Sequence, residues 1–98
     1  MDDARTREQV QAHAAAVEPG DVDAVVADFN ESMRPQVPQL VQALPQRVTR
    51  AEVLTVDVGE TESVAMIRYS GDSGAVTVRS RWAGEGGRAV IVAAEPAA

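Results

Sequence analysis

A chain of 98 residues with a formal net charge of −6 has room for one domain with one core and none for a second. Its nine positive residues, all arginine, are outnumbered by fifteen carboxylates, so there is no basic surplus to displace counterions, which argues against a nucleic-acid partner. Cysteine is absent, which removes disulfides and thiolate metal sites. No apolar run reaches the length of a signal peptide or a membrane span, so a soluble, unprocessed, cytoplasmic chain is expected, with no membrane partner.

From Ala4 to Val17 the chain is rich in strong helix formers, and Val10, Ala14 and Val17 fall on one stripe, which predicts a first helix. Pro19 and Gly20 end it. Asp21 then stands where an N-cap belongs, ahead of Val22, Val25, Val26, Phe29 and Met33 at helical spacing, and a second amphipathic helix is predicted across them. Pro35 biases Arg34 away from helical angles, so a bend is expected before a short third helix. That helix carries Val37, Leu40, Val41 and Leu44, tolerates Pro38 in its first turn and stops before Pro45.

After Arg47 the hydrophobic period changes to two and β-branched residues dominate. The turn sequences GETE (59–62), GDSG (71–74) and GEGG (84–87) divide this half into four strands, as in an antiparallel meander. The fold class expected is α+β: three N-terminal helices packed on one face of a four-stranded antiparallel sheet, all within one domain over residues 1–98.

Two-residue loops at Glu60-Thr61, Asp72-Ser73 and Glu85-Gly86 would sort the strand residues into two faces. One face collects Glu52, Leu54, Val56, Ala65, Ile67, Tyr69, Val76, Val78, Ser80, Trp82, Ala89, Ile91 and Ala93, and should receive the helices. The other interleaves Arg68, Arg79 and Arg81 with Val53, Val64, Met66, Val90 and Val92, which is too apolar for plain solvent and suits a homodimer interface. There the arginine heads would meet carboxylates such as Asp57 of the partner. A merely solvated face and an anion site are the competing readings. The GEGG turn is the one most prone to slip, because its adjacent glycines also permit a three-residue loop.

Two stretches, GDVDAVVADF (20–29) and VTVRSRWAGEGGR (76–88), resemble the nuclear transport factor 2-like superfamily, in particular its SnoaL-like bacterial members. The resemblance implies a bacterial protein with a cone of helices against a curved sheet of the cystatin-like kind, a pocket inside the cone and frequent dimerisation through the sheet. It departs from that pattern in having only residues 30–36 where the family places a hairpin between its second and third helices, so a truncated cone with a small pocket is expected.

Three side chains are weak candidates for proton transfer. His13, the only histidine, lies on or beside the apolar stripe of the first helix, where packing is the commoner role. Asp28 stands at the end of the second helix, where it reads as solvated, and as a pocket acid it would need burial. Glu52 falls opposite Tyr69 in the derived register, either as an acid/base pair at a pocket or as two tips reaching solvent. Phe29 and Trp82 read first as core filler and second as ligand platform, beside Tyr69 and Glu52. No metal-ligand cluster accompanies them and no cofactor is expected. The favoured reading is a dimeric, non-catalytic binding or accessory domain that could hold a small apolar ligand. The alternative implied by the resemblance is an isomerase, cyclase or dehydratase acting on a small apolar carbonyl or hydroxylated ring compound.

Overall fold

The computed structural model describes residues 1–97. Helix α1 spans Asp3–Val17, and its first turn is capped by the Asp2 carboxylate, which accepts from the Arg5 backbone N–H at 2.9 Å. It buries Thr6, Val10, His13 and Ala14, the i, i+4, i+7, i+8 face of an amphipathic helix. Asp21 caps α2 through the Ala24 N–H at 3.2 Å, as the sequence predicts.

Helix α2 covers only Val22–Ala27, so the second helix is far shorter than its apolar stripe suggests. The backbone leaves the helix at Asp28 to form a parallel bridge between Phe29 and Ile91. The Ile91 N–H donates to the Asp28 carbonyl at 2.7 Å, and the Asn30 N–H donates to the Ile91 carbonyl at 3.0 Å. Tertiary hydrogen bonds replace the next helical turn, whose propensity gain per residue is only a fraction of a kcal/mol. Phe29 and Met33 remain buried, but from a bridge and a turn rather than from one helical stripe. A 3-10 turn at Arg34–Gln36 then leads into α3, Val37–Gln42, with Pro35 and Pro38 in the first turns where a missing N–H costs nothing.

The second half forms strands β1 (Val48–Val58), β2 (Glu62–Gly71), β3 (Gly74–Glu85) and β4 (Arg88–Pro96), in the antiparallel order β1-β2-β3-β4. The chain is therefore α+β, with three α-helices before a four-stranded meander. The β2–β3 hairpin has the predicted register from Gly71↔Gly74 outwards.

The other two hairpins correct the sequence-derived register. In β1, Thr55 pairs with Met66 as expected, but Val53 pairs with Ile67, so Leu54 is an unpaired bulge residue. Beyond it Ala51 faces Tyr69, and Glu52 faces Arg68 instead. Ala51 and Val53 pack against the core, and Leu54 is left 46% exposed. A continued two-residue period would have aimed the Glu52 carboxylate at that core, where an unpaired charge is costly. In the last hairpin the loop is Gly86-Gly87, one residue later than expected. Both glycines have positive φ (59° and 82°), as a two-residue hairpin turn of the primed type requires, and Glu85 is spared that conformation. The register moves by two, so Ala89 and Ile91 keep their predicted face, with Ile91 opposite Trp82. A bulge in β4 skips Val92, after which Ala94 rather than Ala93 shares the face of Ser80.

One core cluster joins Val10 and Ala14 of α1, Phe29 and Met33 of the connecting segment, Val37 of α3, and Ala65, Ile67, Tyr69, Trp82, Ala89 and Ile91 of the sheet. Trp82 is fully buried, and its indole N–H donates to the Ser80 hydroxyl at 2.9 Å, which donates to the Ala65 carbonyl. In a core short of large side chains this ring fills the volume that small aliphatic residues leave. Among the described residues no helix is long and apolar enough to cross a membrane.

Candidate functional site

Among the described residues, the Asp28 side chain makes the most side-chain hydrogen bonds. Because α2 stops at Ala27 and the chain turns onto β4, this carboxylate points inward and is only 6% exposed, rather than solvated as its position after a helix suggests. Its Oδ1 accepts from Gln9 Nε2 at 2.7 Å and from Arg88 Nη2 at 2.7 Å, and its Oδ2 meets His13 Nδ1 at 2.9 Å. Gln9 and His13 reach it from one face of α1, four residues apart, and Arg88 reaches it from the start of β4. A carboxylate already bonded by a guanidinium acts as an acceptor, so the proton of the His13–Asp28 contact belongs on Nδ1. In the neutral ring Nε2 is then the lone-pair nitrogen.

The His13 ring is held edge-on by two aromatics, with centroids 6.0 Å from Phe29 and 5.5 Å from Trp82. It lines a small, partly open pocket of about 50 Å³ together with Phe29, Tyr69, Val78, Ser80 and Ile91. Tyr69 is 3% exposed, and burial pushes its phenol well above its ordinary value, so the group is neutral across the physiological range. Neither His13 Nε2 nor the Tyr69 hydroxyl bonds to another described residue, and no side-chain polar atom sealed from open space lacks a partner.

A larger groove of about 750 Å³ lies beside this pocket, bounded by the end of α1, by α2, by α3 and by the 43–48 segment. Val17, Val25, Val37, Val41 and Leu44 line both spaces, so the groove and the small pocket share an apolar wall. Val22 and Val41, 66% and 53% exposed, stand on its wall and are the two most exposed large hydrophobic side chains of the described chain. Glu18 and Arg47 supply charge at its edge.

No family model matches the chain. No curated protein matches it either. Among solved structures it is similar to RPA3114, a SEC-C motif containing protein from Rhodopseudomonas palustris, at 16% identity and a TM-score of 0.67, over 92% of this chain and 77% of that one. At that identity the likeness concerns the fold alone. The resemblance to the nuclear transport factor 2-like superfamily is thereby overturned, since the structural neighbour is described as a SEC-C motif protein. Its two stretches proved to be local devices: 20–29 holds a capped six-residue helix, and 76–88 holds a strand with a glycine turn. Such devices recur wherever helices start and hairpins turn, and they do not specify a family.

The other candidate residues are dispersed. Glu52 is 45% exposed in its side chain, 3.7 Å from Arg50, on the face opposite to Tyr69. Phe29, Tyr69 and Trp82 are all buried; Phe29 and Tyr69 line the inner pocket and Trp82 backs His13. On the outer face Arg79 lies 3.6 Å from Glu95 and Arg81 lies 3.5 Å from Glu62, each within this chain, while Val64, Met66 and Val92 are half-buried and Arg68 is exposed. Sequence reasoning missed the convergence on Asp28. The Gln9–His13 spacing was a legible sign of one polar face, but nothing local announces that Arg88 joins it.

Proposed function

We propose that this protein is a non-catalytic binding domain for a small, largely apolar molecule, held in the groove between α1–α2 and α3–β1 with the three helices covering the buried face of the sheet. The observation that carries this reading is the placement of the two most exposed large hydrophobics, Val22 and Val41, on the wall of a groove whose volume of about 750 Å³ falls in the range of ligand pockets. The apolar wall that the groove shares with the small pocket supports it, because a ligand could bury its apolar body along those valines.

The test uses the purified chain and a naphthalene-type fluorescent probe. Val41→Glu places a charge on the groove wall at a site already 53% exposed, so folding should be unaffected and probe binding should fall by at least about tenfold. Undiminished binding by this variant, with an unchanged unfolding midpoint, would move the ligand out of the groove and reject the reading.

Association of two copies through the outer sheet face is a second part of the proposal, supported by half-buried Val64 and Met66 among Arg68, Arg79 and Arg81. Because Arg79 and Arg81 already have carboxylates of their own chain nearby, the apolar residues rather than new ion pairs would supply the attraction. Light scattering should report a dimer, dissociated by combining Arg79→Glu with Met66→Glu. A monomer at micromolar concentration removes this part.

A further inference from the structure

Helix α3 is held differently from the rest of the helical layer. Helix α1 lies against β1 and α2, and the segment after α2 is bonded to Ile91 and, through Asp28, to Gln9, His13 and Arg88. Among the described residues, no hydrogen bond or ion pair joins residues 34–44 to any element beyond the turn that precedes them. Apolar contact alone anchors this stretch: Val37 is buried, Leu40 and Leu44 are half-buried against the core, and Pro38, Gln39, Val41, Gln42 and Ala43 are exposed. A helix of six residues is too short to be stable by itself. Its two ends are nonetheless fixed, since Phe29 and Met33 are buried before it and Pro45 is buried after it, beside Gly71 at the end of β2.

Space lies on both sides of α3. The groove of about 750 Å³ adjoins it on one side, and the pocket of about 50 Å³ lies between it and Tyr69, Val78 and Ile91 of the sheet. That pocket holds a few water molecules at most, so no organic ligand reaches this part of the sheet while α3 stays in place. We infer that α3 is a lid, hinged at the 3-10 turn before it and at residues 43–45 after it, which swings off the sheet to merge groove and pocket and is held down once a ligand is bound. Opening separates Leu40 and Leu44 from the core, keeps Val37 as the pivot, and strands no buried hydrogen bond or charge. Moving α1 or residues 28–30 would break the bonds to Asp28 and Ile91, so α3 is the helix that opens most readily. The motion stands on the packing of α3 alone, whereas its closure by ligand rests on the groove reading.

The experiment is amide hydrogen exchange of the full chain, read residue by residue by NMR. In the free protein the helical amides of Val41 and Gln42 should be protected at least about a hundredfold less than those of Ile67 and Val78 in the central strands. Their exchange should also respond little to low urea, because a local opening exposes little surface. Adding the naphthalene-type probe at about ten times its dissociation constant should slow the α3 amides about tenfold, since the open form does not hold the ligand. Exchange of α3 together with the central strands, with the same urea dependence, overturns the lid whether or not the probe binds. Unchanged α3 exchange under a probe whose binding Val41→Glu abolishes overturns the closure by ligand and leaves the groove reading standing. Probe binding that survives Val41→Glu rejects the groove reading, and exchange in the free protein then decides the hinged motion by itself.

Discussion

Asp28 and Arg88 are sixty positions apart in the chain and meet at 2.7 Å, with the carboxylate buried and the guanidinium half in solvent. That contact ties the end of α2 to the start of β4, next to the Phe29–Ile91 bridge, and leaves the other carboxylate oxygen free to hold His13.

The asymmetry of exposure predicts unequal costs. Asp28→Ala strands Gln9, His13 and Arg88 at once and should destabilise the fold by about 3–5 kcal/mol. Arg88→Ala removes a group that is 44% exposed and should cost about 1 kcal/mol. Urea unfolding of both variants checks this, and equal costs would contradict the burial argument.

The phenol of Tyr69 makes stability depend on alkaline pH. Burial raises its folded-state pKa, while the unfolded chain titrates near about 10. Above that value the unfolded state loses its proton first and binds fewer than the native state, so stability falls as pH rises further. The contribution is fully present below about pH 10 and is lost progressively above it. Tyr69 is the only tyrosine, so absorbance titration reads it directly, and Tyr69→Phe should flatten the alkaline decline in the urea midpoint.

Gly71 ends β2 against the loop that enters β1. A methyl group there would overlap the Arg47 carbonyl oxygen and lie 2.8 Å from the Pro45 Cβ, whereas one at Gly84 would meet nothing within 4 Å. Gly71→Ala should therefore cost about 1–3 kcal/mol and loosen the 45–47 wall of the groove, with Gly84→Ala as the milder control. Thermal unfolding distinguishes them.

Glu52 offers a test in the opposite direction. Exposed on the outer face and 3.7 Å from Arg50, it should tolerate Glu52→Ala within about 0.5 kcal/mol and leave probe binding unchanged. A loss of binding would mean that Glu52 contributes to the groove site, against its place on the outer face.

What the sequence by itself determined were the features set by neighbouring residues: the Asp21 cap, the Pro-Gly break after α1, the strand period and the three glycine turns. The buried face of β2 and β3, with Ala65, Ile67, Tyr69, Ser80 and Trp82, was legible because the turn at residues 72 and 73 keeps a two-residue period running without interruption. Three register shifts, at Thr49, Leu54 and Val92, were not legible, since a skipped residue leaves the composition unchanged and is decided by which side chains the core will accept. The bulge at Leu54 moved Glu52 away from Tyr69 and emptied the acid/base pair that a regular strand implied. Tertiary structure alone also ended α2 at Ala27 and brought Gln9, His13 and Arg88 onto Asp28, because hydrogen bonds to a strand and a guanidinium sixty residues away outweigh the small local preference for another helical turn.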